Sequence, residues 1–124
     1  MGLSNIYVEK ICEDQNIAAS GNYTSREIRL QDYQPEGFIS LQLEVSGNGT
    51  LKVEPLLSVN GDDYFQPSNT PDITTNFTAT SGPDGNGKDI FAVELGITCP
   101  YLKLKFTETG GSNSITVSAW LAIQ

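Results

Sequence analysis

The chain has 124 residues, enough for one domain with its own core and short for two. Acidic residues outnumber basic ones 15 to 7, a formal charge of −8, and the lysines and arginines are scattered from Lys10 to Lys105. No basic stripe is available to neutralise phosphates, which removes nucleic acid and, on the same reasoning, an anionic membrane surface from the expected partners.

The opening Met1–Asn5 has neither a basic segment nor an apolar one, so no secretory signal is expected. No apolar run nears the ~18 residues of a membrane span. Asn5 to Ile11 reads as an N-terminal strand, with Ile6, Val8 and Cys12 on one face. Glu13 to Ser25 is polar and turn-rich. Arg26 to Leu30 reads as a short strand with Ile28 and Leu30 inward. Phe38 to Val45 gives the clearest pattern: Ile39, Leu41, Leu43 and Val45 alternate with polar residues, the period of a half-buried strand. Ser46-Gly47-Asn48-Gly49 then predicts a hairpin turn into Leu51 and Val53. Pro55 lacks an N–H donor, which predicts an edge or a bulge at that point.

Asn60-Gly61-Asp62-Asp63 predicts a turn before Tyr64 and Phe65, and Pro67 to Pro71 a loop. Ile73 to Thr80 is β-prone. Ser81 to Lys88 reads as a flexible connection. Three strands follow. Asp89 to Leu95 turns Phe91, Val93 and Leu95 to one side, and Tyr101 to Thr107 turns Leu102, Leu104 and Phe106 inward. Ser114 to Ile123 turns its odd positions inward, and Gly110 to Asn113 predicts a hairpin between the last two strands. About eight short strands, with turns about every 8–12 residues, predict an all-β antiparallel β-sandwich of jelly-roll type, a single domain over residues 1–124.

The chain contains no histidine, which removes the commonest general base, the His-dependent triads and most zinc sites. Cys12 and Cys99 form no C-x-x-C and are read as reduced core residues. Asp62-Asp63 reads as turn chemistry rather than a catalytic pair. The loop at Asp84, Asn86 and Asp89 starts like a calcium loop, but Asp89 and Leu95 stand where glycine and glutamate are required, so it reads as a Gly-rich turn. Glu54, Asp62, Asp63, Asp72 and Asp84 fall in a stretch without positive charge, read as a solvated face. No catalytic residue, cofactor or metal is expected, and the chain is not expected to be an enzyme.

Binding is the remaining class. Trp120 falls on the outward side of the final strand with Thr116, Ser118 and Ala122, so either another layer of the chain or a partner must cover its ring. Tyr64 and Phe65, beside the acidic turn, form a second candidate contact patch, unless one of them is core. The candidate interface is therefore Trp120, Thr116, Ser118, Tyr64 and Phe65. A carbohydrate-binding or adhesin-like module is the alternative, with Trp120, Tyr64 and Tyr101 as its platform.

From Ser20 onward, the run SGNYTSREIRLQDYQPEGFISLQLEVSGNGTLKVEPLLSVNGDDY, then SGPDGNGKDIFAVEL and the ending YLKLKFTETGGSNSITVSAWLAIQ, resembles small virion structural proteins of tailed bacteriophages. The resemblance implies a capsid decoration or head-stabilising subunit, working as a homo-oligomer and against a major capsid or other virion protein. It implies assembly in the host cytoplasm and residence in the virion. Residues 1–19 lie outside the resemblance and are assigned to an N-terminal arm.

Overall fold

A computed structural model describes residues 6–30, 38–95 and 99–124. Nine antiparallel strands, and no α-helix, occur among them: β1 (Tyr7–Ile17), β2 (Asn22–Thr24), β3 (Ile28–Arg29), β4 (Ile39–Gly47), β5 (Leu51–Ser58), β6 (Thr74–Phe77), β7 (Lys88–Ala92), β8 (Tyr101–Glu108) and β9 (Ile115–Ile123). One sheet has the order β1-β9-β4-β7. The other has the order β2-β8-β5-β6, with β3 also paired to β8. The two form an all-β sandwich of jelly-roll type.

The alternating side chains explain why the sheets close on each other. Leu41 and Leu43 from β4, and Val117, Ala119 and Leu121 from β9, face Val53, Leu102, Leu104 and Phe106 from the second sheet; all are fully enclosed. Every inward position predicted for β4, β8 and β9 lies in this core.

Strand pairing departs from the sequence reading. The turns at Ser46–Gly49 and Gly110–Asn113 are not hairpins, because β4 and β5, and β8 and β9, belong to different sheets. Both turns carry the chain across the sandwich. The glycines fit a crossing as well as a hairpin: Gly47 has φ 99°, and a Cβ on Gly49 would stand 2.7 Å from the Asn113 carbonyl oxygen. Pro55 sits within a strand paired on both sides. Val53, by its carbonyl, and Leu57, by its amide and carbonyl, bond away from β8, and β6 pairing is irregular between Leu51 and Val53. By alternation the Pro55 nitrogen points to the gap between those bonds, where no donor is needed.

The stretch Glu13 to Ser25, expected as turns, contains part of β1 and all of β2. From Tyr7 to Ile17 the segment expected as an arm pairs along β9, so it is an edge strand of the sandwich. Register shifts between Lys10 and Cys12, and again before Gln15, reverse its facing. Val8 and Ile6 therefore stay outside while Cys12 turns in, which corrects the shared face expected for them. Burial pushes the Cys12 thiol up to about 11, and its Sγ lies 3.6 Å from the Val117 carbonyl oxygen. Both cysteines are free thiols, with Cys99 half-buried. No described helix is long and apolar enough to cross a membrane.

Candidate functional site

The registers of the β1-β9-β4-β7 sheet stack chemically unlike rows on its outer face. Lys10, Trp120, Gln42 and Ile90 form one row across the four strands. Val8, Ala122, Ser40 and Ala92 form the next. On the other side of the Trp120 row lie Ser118, Glu44 and Lys88, with Asp14 beside Ser118 through a bond from its backbone N–H to the Ser118 Oγ of 2.9 Å.

Trp120 is half-buried on this face, between Lys10 and Gln42 on the neighbouring strands. Ile6, Val8, Phe38 and Ile90 around it are between 63% and 69% exposed. Ile6 and Phe38 meet with Ser40 and Ala122 at one end of the face. At the other end Asp14, Glu44, Asn86, Lys88, Thr116 and Ser118 line an open polar depression. Thr116 and Ser118 thus share the face of Trp120, as their spacing predicted.

The second predicted patch does not join it. Tyr64 belongs to the opposite side of the sandwich. Its hydroxyl donates to Glu27 Oε1 at 2.6 Å, and the Lys103 ammonium lies 4.2 Å from its ring centre. Burial, and then the Glu27 carboxylate, raise the Tyr64 pKa. Phe65 is 67% exposed and lines an apolar cleft with Leu57, Val59, Pro67 and Cys99. So of this pair Tyr64 is a satisfied, half-buried residue and Phe65 is the exposed one. Tyr101 lies on β8 in the second sheet, under the Arg29 guanidinium at 5.8 Å. Trp120, Tyr64 and Tyr101 are therefore split between two faces and do not form one platform.

Two features were missed in the sequence. Ile90 is exposed beside Gln42, and the outward parity of its strand could have flagged it. Glu108 occupies the inward register of β8 after Leu102, Leu104 and Phe106, and it is almost fully enclosed. Its carboxylate accepts four backbone N–H bonds: Ser20 at 3.0 Å and Gly111 at 2.8 Å on Oε1, Thr50 at 2.9 Å and Gly110 at 2.7 Å on Oε2. Those donors, Thr50 foremost, hold its pKa down to about 2. The three segments it ties are crossings between the sheets (β1 to β2, β4 to β5, β8 to β9), so its role is to hold the framework. A charged residue at an inward position just before Gly-Gly was the available signal. No group of three or more Cys, Asp or Glu side chains that could hold a metal occurs among the described residues.

No protein-family model and no curated protein matches the sequence. Among solved structures, the chain is similar to VP2 of infectious bursal disease virus in its subviral particle, at 18% identity and a TM-score of 0.54. The match covers 96% of this chain and 32% of VP2, so the chain spans about a third of that protein. It is also similar to a single-substitution variant of the family 29 carbohydrate-binding module CBM29-2, at 14% identity and a TM-score of 0.50, over 95% and 91% of the two chains. The SPBc2 prophage-derived protein YomS is similar over 98% and 96%, at 12% identity and a TM-score of 0.47. Likeness at these identities speaks to the fold.

Proposed function

We propose that the chain is a non-enzymatic structural subunit of a viral particle, a capsid decoration or head-stabilising protein that works by contact with its own copies and with a major capsid or other virion protein. The observation that carries this reading is the exposed apolar surface around Trp120. A free domain gains nothing from leaving four large apolar side chains in water around a half-covered indole, whereas a subunit in an assembly buries them. The resemblance of residues 20–124 to small virion proteins supplies the kind of assembly. The absence of histidine from the sequence favours binding over catalysis. Particles purified by density from cells that produce the chain should contain it at fixed stoichiometry. Its absence from every particle fraction would overturn the reading.

A glycan-binding reading has one observation of its own. Trp120 lies between Lys10 and Gln42 with the Asp14–Lys88 depression alongside, an indole flanked by hydroxyl-pairing groups on an open face. Flat thermal shifts across a glycan panel would remove it. Binding that disappears in Trp120→Ala would put it first.

A further inference from the structure

The face around Trp120 differs electrostatically from the rest of the chain. In the outward registers of its strands and in the β1 bulge stand Lys10 and Lys88 against Glu13, Asp14 and Glu44, two charges against three and so a balance of −1, whereas Glu9 and Asp89 fall in the inward registers and the whole chain carries −8. Lys10 is paired to Glu13 at 2.8 Å. Asp14 and Lys88 have no ion-pair partner among the described residues. They stand at opposite lateral edges of one row, with Ser118 and Glu44 between them. The outer face of the second sheet is a poor alternative for self-contact, because Lys52, Lys103 and Lys105 there outnumber Glu54.

From this layout we infer that the Trp120 face is an isologous interface between two copies of the chain, related by a two-fold axis parallel to the strands and passing between β9 and β4. Such an axis keeps each residue at its height along the strands and exchanges the lateral edges. β7 then lies over β1 of the second copy, and β4 over its β9. Lys88 meets Asp14 of the second copy, and the pair occurs twice. Glu44 meets Ser118, Gln42 meets Trp120, and Ile90 covers the aliphatic stem of Lys10. An axis across the strands through the Trp120 row does worse. It sets Lys10 on Lys10 and presses Lys88 onto Ala92, a desolvated charge with no partner. Two sheets facing each other with nearly aligned strands is ordinary sandwich packing.

The inference rests on the reading of the chain as a contact-making subunit and names the partner of that surface. It is tested on the full chain by sedimentation velocity across concentration, with thermal unfolding as the check on folding. The wild type should sediment as a dimer, and Ile90→Asp as a folded monomer. Lys88→Glu should weaken the dimer about tenfold at low salt, since two weak ion pairs become repulsive at once. Adding Asp14→Lys should restore it. Because Asp14 has φ 50°, a lysine there carries backbone strain, so salt supplies a second readout: the wild-type dimer should weaken with added salt and the Lys88→Gln dimer should not. A wild type that is monomeric at all concentrations would overturn the dimer while leaving particle incorporation to decide the function. A dimer indifferent to both Ile90→Asp and Lys88→Glu would also overturn it.

Discussion

The two outer faces of this sandwich start from the same strand alternation and end in opposite conditions. On the second sheet, three outward cations find partners within the chain: Lys52 with Glu54 at 3.5 Å, Lys103 with the Tyr64 ring, and Arg29 with the Tyr101 ring. On the first sheet, the outward rows set Trp120, Ile90 and Val8 among Lys10, Gln42 and Glu44, with Lys10 paired to Glu13 and with Lys88 and Asp14 at the edges. One face sets much of its charge against its own residues. The other presents apolar area and separated charges that another surface can match. Both sheets line the core mainly with buried apolar side chains, so the core does not account for the difference.

The largest loss is expected from removing what both faces stand on. Phe106 is fully enclosed between the sheets, and Phe106→Ala should cost about 3–5 kcal/mol from lost burial plus the cavity left behind. Urea unfolding would measure it, and the substitution should weaken both faces together. A loss below about 1 kcal/mol would mean that the sheets do not share this core.

Glu108 comes next, because it joins the sheets at one end. Its carboxyl is lowered from an ordinary 4.5 to about 2 in the folded chain. A group lowered by folding stabilises above its unfolded value, and that contribution is lost as the pH falls through the folded one. Glu108→Gln should therefore lower the melting temperature, by less than Phe106→Ala does. The gap from wild type should be full at about pH 6 and close as the pH drops from about 4.5 towards 2. A gap independent of pH would mean that the charge is not what the four N–H groups bind.

These two residues also mark what the sequence could and could not tell. Alternation placed Phe106 inside and Trp120 outside, because the pleat turns each successive side chain to the opposite face. It could not choose between a hairpin and a crossing at Ser46–Gly49 or Gly110–Asn113. Glycine at such a turn reports a permitted backbone angle, not the sheet to which the next strand belongs. It could not place Cys12 either, because the bulges in β1 reset the parity on which the pattern depends. Glu108 stood in the right register to be noticed. Its meaning required the three crossings that meet at it, and those are tertiary facts. The same holds for the Lys88–Asp14 row, whose residues are 74 positions apart and are brought to one height by β9 and β4.

On the exposed face the expected effect moves from stability to association. Trp120→Ser should cost about 1–2 kcal/mol, less than the full burial of a large apolar side chain is worth, because the ring is only partly covered. Light scattering coupled to size exclusion should then show folded monomers where the wild type is a defined oligomer. If the substitution instead unfolds the chain, Trp120 serves the core, and the contrast between the two faces disappears.

The smallest effect is expected on the second sheet. Lys103 faces outward between Leu56 on β5 and the ring of Tyr64, with its charge 4.2 Å from the ring centre. Lys103→Ala removes a cation–π contact worth about 0.5–1 kcal/mol at an exposed site, and leaves the Tyr64 hydroxyl on Glu27. Urea unfolding should show a loss in that range, and the mass in solution should not change. Both parts matter, because a face completed within its own chain has energy to lose but no partner to release. Should Lys103→Ala dissociate an oligomer that Trp120→Ser leaves intact, the roles of the two sheets would have to be exchanged.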